Sequence, residues 1–447
     1  MSHPHPRLPC INCACSNSRV WPRGRAYHCF VIIETDEPRP ADKRATYRRR
    51  RVVVFGALGA LLLATAYALG VLAAPLPAVA AVAGTEQTIT PAAAQIAWPT
   101  TASAAVGAVG YSGLLAQHGA DAPVPIASMT KTITALVVLE AKPIKKGTDG
   151  PTITFTDADV SIFHQVIANG GSWAPVVAGE QLTEKQALQA MLLPSANNYA
   201  ISLANWAYGS VPAFLTAANA WLDSHGLHDT HLTDPAGLDP GTVSTASDMV
   251  DIGKRVLANP VLADVVKTPM VTLPGAGTQD NGNKLLGHDG IDGIKTGFTD
   301  EAGHCLLFSA RVDVGDHRVT IVGVELGASS YADLWATVPP LLTSAKDGFH
   351  SVTLTGANKT FGAYATEWGA SSTLVSTAPS SMLVWSNASI SVTTQTVPLR
   401  VGAAGDTVGT VTFRQGKTVV KKPLMLAKTI PDPGFWWRFT HPLTLFG

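Results

Sequence analysis

The sequence has little charge and no surplus of either sign. Asp, Glu, Lys and Arg make up 14% of its 447 residues, and 32 basic side chains balance 32 acidic ones. A surface that neutralises phosphates needs a basic face, so this balance speaks against a nucleic-acid partner. Cysteine is scarce. Of five, Cys10, Cys13, Cys15 and Cys29 lie in the first stretch, and only Cys305 is found further on. A single cysteine there excludes a disulfide framework, and Cys305 reads as a packed strand residue. The spacing of Cys10, Cys13 and Cys15 does not make the two Cys-x-x-Cys hooks of a usual zinc site, so no metal is expected. Internal repeats are also absent.

The missing charge is concentrated. Between Arg51 and Asp121 the only ionisable acid or base among Asp, Glu, Lys and Arg is Glu86. Val52 to Ala74 is an unbroken apolar run, long enough to cross a bilayer with some tilt. Arg48 to Arg51 flank its start, which places the N-terminus in the cytoplasm and the rest of the chain outside. The competing reading is a signal peptide cleaved near Ala78-Val79-Ala80 or Ala81-Val82-Ala83. The length of the run and of the segment before it favours an uncleaved anchor.

The expected organisation follows from these shifts of texture. Residues 1–51 read as a disordered cytoplasmic tail, 52–74 as the anchor or signal segment, and 75–103 as a flexible Ala/Pro/Thr-rich linker. Residues 104–349 alternate helical and strand patterns and predict an α+β domain, with helices around an antiparallel sheet. Thr183 and Gln186 form a capping box, Pro194 and Gly209 stop two helices, and Pro339 and Pro340 should break or bend a last helix over Tyr331–Lys346. Residues 350–430 show strand alternation only and predict a small β-sandwich-like domain. The aromatic tail 431–447 is expected to pack on its own domain, since Pro442 prevents a long amphipathic helix.

Chemistry first shows in "PIASMTKTITALVVLE", residues 125–140. Ser128 and Lys131 are three apart and share a helix face, among Met129, Ile133, Leu136, Val137 and Leu139. Burial disfavours an ammonium and leaves a neutral amine, which is a base. A serine hydroxyl needs such a base to become a nucleophile. The plain alternative is an N-cap serine followed by a lysine that snorkels to solvent.

Two further patterns decide between them. "PSANN" puts Ser195 and Asn197 in a turn between helices, and "GIKTGFT" puts Lys295, Thr296 and Gly297 on a strand. Singly, these could be a cap, a turn residue and strand-edge solubilisers. Together, S-x-x-K, S-x-N and K-T-G stand in the order of penicillin-recognising serine enzymes, 67 and then 100 residues apart. With "LTEKQALQAMLLPSANNYAISLA" and "DPAGLDPGTVSTASDM", residues 100–349 resemble the D-alanyl-D-alanine carboxypeptidases, the low-molecular-mass penicillin-binding proteins of serine peptidase family S11.

The resemblance implies a penicillin-binding, β-lactamase-like transpeptidase domain followed by a β-domain. It also implies removal of the terminal D-alanine from peptidoglycan stem peptides, inhibition by β-lactams and no cofactor. Ser128 would be acylated and Lys131 would be its base. Ser195 would relay the proton to the leaving amine, and Asn197 would hold Lys131 and the substrate amide. Lys295 would supply positive potential, Thr296 would bind the terminal carboxylate, and Gly297 would let the substrate lie along the strand. The backbone N–H groups of Ser128 and Phe298 would form the oxyanion hole.

Two departures stand out. Phe298 takes a place where many relatives have histidine. No arginine occurs between Arg318 and Arg400, whereas relatives often carry one after the K-T-G strand. Three alternatives stay open: a D,D-endopeptidase, a class A-like β-lactamase, and an inactive β-lactam- or wall-binding protein. The β-lactamase is disfavoured because no glutamate occurs between Lys185 and Asp300, leaving Asp234 and Asp239 as its only acidic substitutes in the expected stretch.

Overall fold

The computed structural model describes residues 43–446, apart from 85–86, 357–358 and 377. Cys10, Cys13, Cys15, Cys29 and the expected disorder ahead of residue 43 lie outside the described residues. Helix α1 spans Lys43–Ala73, beginning well ahead of Val52. Lys, Arg and Ala are strong helix formers and no Pro or Gly intervenes before Gly56, so the basic stretch continues the helix rather than preceding it. Its stretch Thr46–Ala73 is long and apolar enough to cross a membrane. Its large side chains are exposed, Val53, Phe55 and Leu63 among them, as a lipid-facing surface requires.

The chain divides into two units, one made of residues up to Ala74 and from Arg438 on, the other of Pro75–Trp437. In the first unit, the Tyr67 hydroxyl donates to the Phe439 carbonyl at 2.7 Å and its ring meets Phe439 edge-on. Arg438 donates to the carbonyls of Leu72 and Ala74, capping the C-terminal end of α1. In the second, the Trp368 indole donates to Pro431 and its ring meets Trp437.

The second unit holds a five-stranded antiparallel sheet. Its strands are β1 (Ser103–Ala108), β2 (Ala116–His118), β3 (Ile291–Thr299), β4 (Gly303–Val314) and β5 (His317–Ala328), in the order β3-β4-β5-β1-β2. Strand side chains alternate faces, and the two faces feed two cores. Ala105, Cys305, Leu307, Val322 and Val324 join the core under the helices α2 (Thr130–Ala141), α3 (Glu184–Leu192), α4 (Asn197–Tyr208) and α5 (Ala246–Ala258). Ala104, Val106, Leu306, Phe308 and Ile321 face the other way, toward α6 (Tyr331–Asp347). Cys305 is a buried, unpaired strand residue.

α6 runs unbroken through Pro339 and Pro340, against the expected interruption. Its inner face of Leu334, Val338, Leu341, Leu342 and Ala345 is buried, and this packing holds the helix. Ala336 and Pro340 are exposed, so the side where a carbonyl loses its N–H partner is open to water.

The C-terminal region is all β. A seven-stranded sheet and the pair Phe349–Thr355 with Ser380–Trp385 share a core of Leu354, Met382, Val384, Ile390, Val411, Phe413 and Leu424. Residues 75–103 do not form the free linker that their composition predicts. Val82–Ala83 pairs with Thr360–Ala365, Gln87–Ile89 pairs with Ile390–Thr396, and the two segments form the ends of the sheet. Short edge segments need only backbone pairing, which Ala/Thr composition does not advertise.

Candidate active site

The site is built where α2 begins. Ala127–Met129 form a single 3₁₀ turn ahead of α2, and Ala127 adopts a left-handed φ of 46°. A side chain rarely takes that conformation without compensation. The Thr130 hydroxyl supplies part of it by donating to the Ala127 carbonyl at 2.7 Å. The turn leaves Ser128 partly open while α2 is buried from Thr130 to Leu139.

Lys131 is fully buried, and its Nζ lies 2.8 Å from Ser128 Oγ. The same amine donates to the Ala236 carbonyl at 2.9 Å. Burial holds its pKa well below the ordinary lysine value, the positive charge of Lys295 lowers it further, and Asp234 opposes both. Lys131 Nζ donates to both Ser128 Oγ and the Ala236 carbonyl, and its lowered pKa favours the neutral amine, the form able to take the serine proton.

Strand β3 passes beside this pair. A Cβ on Gly297 would lie 3.0 Å from the Ile126 carbonyl and 3.3 Å from the Ser128 nitrogen, so a side chain there would press on the Ser128 turn. Lys295 is buried and donates to the Thr296 carbonyl at 3.1 Å, and burial lowers its pKa to about 7. Phe298 is exposed and stacks on His304, its cross-strand neighbour, with ring centroids 4.2 Å apart.

Ser195 sits in the turn between α3 and α4, also left-handed at φ 68°. Asn197 opens α4, which packs on α2, and its backbone N–H donates to Ser172 at 2.8 Å. The Asn197 side chain is buried and its Oδ1 has no partner among the described residues. Lys131 therefore donates to Ser128 Oγ and to the Ala236 carbonyl, and among the described residues not to Asn197 Oδ1, which was expected to hold it. Behind the turn, the Asn198 amide donates to the Ala174 carbonyl and accepts from the Ala174 N–H, fixing the loop that borders the site.

The segment Asp234–Thr242 is a part of the site that sequence reasoning undervalued. The Asp234 carboxylate accepts from the N–H groups of Ala236 and Gly237 at 2.7 Å each, from that of Asp239 at 2.9 Å, and from the Thr242 hydroxyl at 3.2 Å. This shapes the turn that presents the Ala236 carbonyl to Lys131. The signal was present in "DPAG", since an aspartate that captures N–H groups two and three residues ahead is a standard turn former. Its tertiary target was not.

A family profile described as D-alanyl-D-alanine carboxypeptidase, Peptidase S11, matches residues 94–329. The chain belongs to that family. It is 30% identical over 349 residues to the D-alanyl-D-alanine carboxypeptidase DacC of Escherichia coli K12, covering 73% of this chain and 83% of the relative. It is 32% identical over 212 residues to a D-alanyl-D-alanine endopeptidase of the same organism, covering 45% of this chain and 63% of that protein. Its fold resembles the crystal structure of penicillin binding protein 5 from Haemophilus influenzae. The TM-score is 0.54 at 22% identity, over 77% of this chain and all of that one. The family match takes in all three motifs and the Asp234 turn, and the likeness in fold extends beyond the matched segment.

Proposed function

We propose that this chain is a serine D-Ala-D-Ala carboxypeptidase that acylates on Ser128 and releases the terminal D-alanine of peptidoglycan stem peptides. The observation that carries it is the contact at 2.8 Å between Ser128 Oγ and a buried Lys131 whose pKa burial lowers. As Ser128 attacks the penultimate D-alanine carbonyl, its proton passes to Lys131. The oxyanion is held by the N–H groups of Ser128 and Phe298. Collapse expels the D-alanine amine, which receives its proton through Ser195, and water then hydrolyses the ester. Asn197 Oδ1, buried without a partner among the described residues, suits a substrate amide N–H. Lys295 supplies positive potential along β3, and Thr296 meets the carboxylate end.

A class A-like β-lactamase needs a free carboxylate to activate the deacylating water. Asp234 has its oxygens engaged by backbone and hydroxyl donors, and Asp239 Oδ1 accepts from Gly241 at 2.8 Å, which disfavours that alternative. Cleavage of cross-links is the second reading, favoured by the endopeptidase relative and by identical bond chemistry. In both readings the N-terminus is cytoplasmic, α1 crosses the membrane once, and the catalytic unit acts outside; Arg48–Arg51 support that orientation.

The test is D-alanine release from a pentapeptide ending in D-Ala-D-Ala by the detergent-solubilised chain, with Ser128→Ala as the control. Release that stops in the variant is expected. Release that survives the loss of Ser128 would sink the acyl-enzyme, and cleavage of cross-linked dimers alone would select the endopeptidase.

The pH profile provides a second prediction. The base works only when neutral, so kcat/KM rises as Lys131 loses its proton. Lys295 works only when charged, and its pKa is about 7, so kcat/KM falls as pH rises through that value. A profile still rising at roughly pH 9 would show that Lys295 contributes no charge.

A further inference from the structure

No arginine occurs between Arg318 and Arg400 that could assist Thr296 with a carboxylate. The nearest lysine along the strand, Lys295, is turned to the Thr296 backbone carbonyl. Tyr331 is the first residue of α6. Thr296 and Phe298 share one face of β3, Phe298 pairs with His304, and His304 meets the Tyr331 ring, which brings the phenol to the Thr296 face of the strand. Neither hydroxyl donates to a backbone carbonyl among the described residues.

The phenol is held by a run of rings. Trp335, one turn along α6, stacks on Tyr331 at 5.5 Å with planes 10° apart. His304 meets Tyr331 edge-on at 4.5 Å, and Phe298 stacks on His304 at 4.2 Å. The run thus links α6 to the strand that carries the K-T-G motif, and it fixes where the Tyr331 hydroxyl can be. Half-burial raises the Tyr331 pKa above its ordinary value of 10.0, so the group stays an O–H donor throughout the working range.

We propose that Tyr331 is a specificity-determining residue: its hydroxyl and that of Thr296 together hold the carboxylate at the end of the substrate, as a pair of neutral donors. A carboxylate presents two acceptor oxygens, and each takes one O–H. Hydrogen bonds to an ionised acceptor are about twice as strong as neutral ones, so the pair prefers a free acid to its ester or amide. The identity of the carboxylate rests on the carboxypeptidase reading; the preference for an acid does not.

The experiment compares acylation of Ser128 by a penicillin and by the methyl ester of its carboxylate, in the full chain and in Tyr331→Phe. Phenylalanine keeps the ring stack and removes only the hydroxyl. Acylation by the free acid is expected to slow by about 10- to 100-fold, the ester rate staying near wild type. Unchanged acid-over-ester preference in the variant overturns the proposal, and so does an equal loss on both, which would make Tyr331 a support of the site only. Acylation needs no turnover. Failure of D-alanine release by the wild type therefore counts against the carboxypeptidase reading alone, and the acid-to-ester ratio judges Tyr331 separately.

Discussion

Lys131→Ala is expected to slow acylation of Ser128 by about 10²- to 10⁴-fold, because a positioned general base contributes on that order. Ser128 Oγ has Lys131 Nζ as its one hydrogen-bonded base among the described residues. The variant should fold. Between its lowered folded-state pKa and the ordinary lysine value of 10.5 the unfolded chain binds the Lys131 proton and the folded chain does not, so this group makes folding less favourable below 10.5. That penalty shrinks as pH rises toward 10.5, and alanine removes it, against the loss of the aliphatic stem's packing. Lys131→Arg should fail as completely, since a guanidinium keeps its proton. The measurements are the rate of penicillin acylation and a thermal melt across pH. A folded alanine variant acylated at the wild-type rate would move the base elsewhere.

The contact of Ser128 with Lys131 was legible because it is local. Ser128 and Lys131 are one helical turn apart, so helix geometry alone brings them together. The strand of Lys295, Thr296 and Gly297 was legible from its β pattern, and the capping box at Thr183 and Gln186 appears in the structure as the residue types require. What was not legible depends on contacts between distant segments. Residues 75–103 read as linker because short edge segments pair through the backbone, leaving no side-chain pattern. The prolines of α6 read as a break because sequence does not show which side of a helix faces water.

The same reason hid half of the site. Asp234 was visible as a turn former, yet only the fold shows its turn offering a carbonyl to Lys131, over 100 residues earlier in the chain. Tyr331 carried no motif at all. It matters because the end of β5 and the start of α6 bring it to Thr296, a proximity that periodicity cannot encode. Positive φ at Ala127 and Ser195 is likewise invisible, since neither residue is one that favours it.

Gly237→Ala tests how much of the catalytic geometry rests on that unannounced turn. Gly237 has φ 79°, where a side chain costs about 1–2 kcal/mol on its own account. Its added Cβ would also overlap the Ala127 carbonyl and crowd Thr130 Oγ1, the two atoms whose hydrogen bond steadies the nucleophile turn. Backbone cannot swing aside as a flexible side chain can, so either the Asp234–Thr242 turn retreats or the Ser128 turn does. Retreat of the first withdraws the Ala236 carbonyl from Lys131. Retreat of the second moves Ser128 off its 2.8 Å contact with the base. Either way acylation should fall by about 100-fold or more, the effect of a shift near 1 Å in reacting groups. Stability should drop by at least about 2 kcal/mol. Asp234→Asn separates the two effects: it keeps one acceptor for the turn and leaves the Gly237 contact with Ala127 untouched, so its acylation should exceed that of Gly237→Ala. Wild-type acylation in Gly237→Ala would mean that the turn and the nucleophile can part without consequence, and that the Ala236 carbonyl plays no part in orienting Lys131.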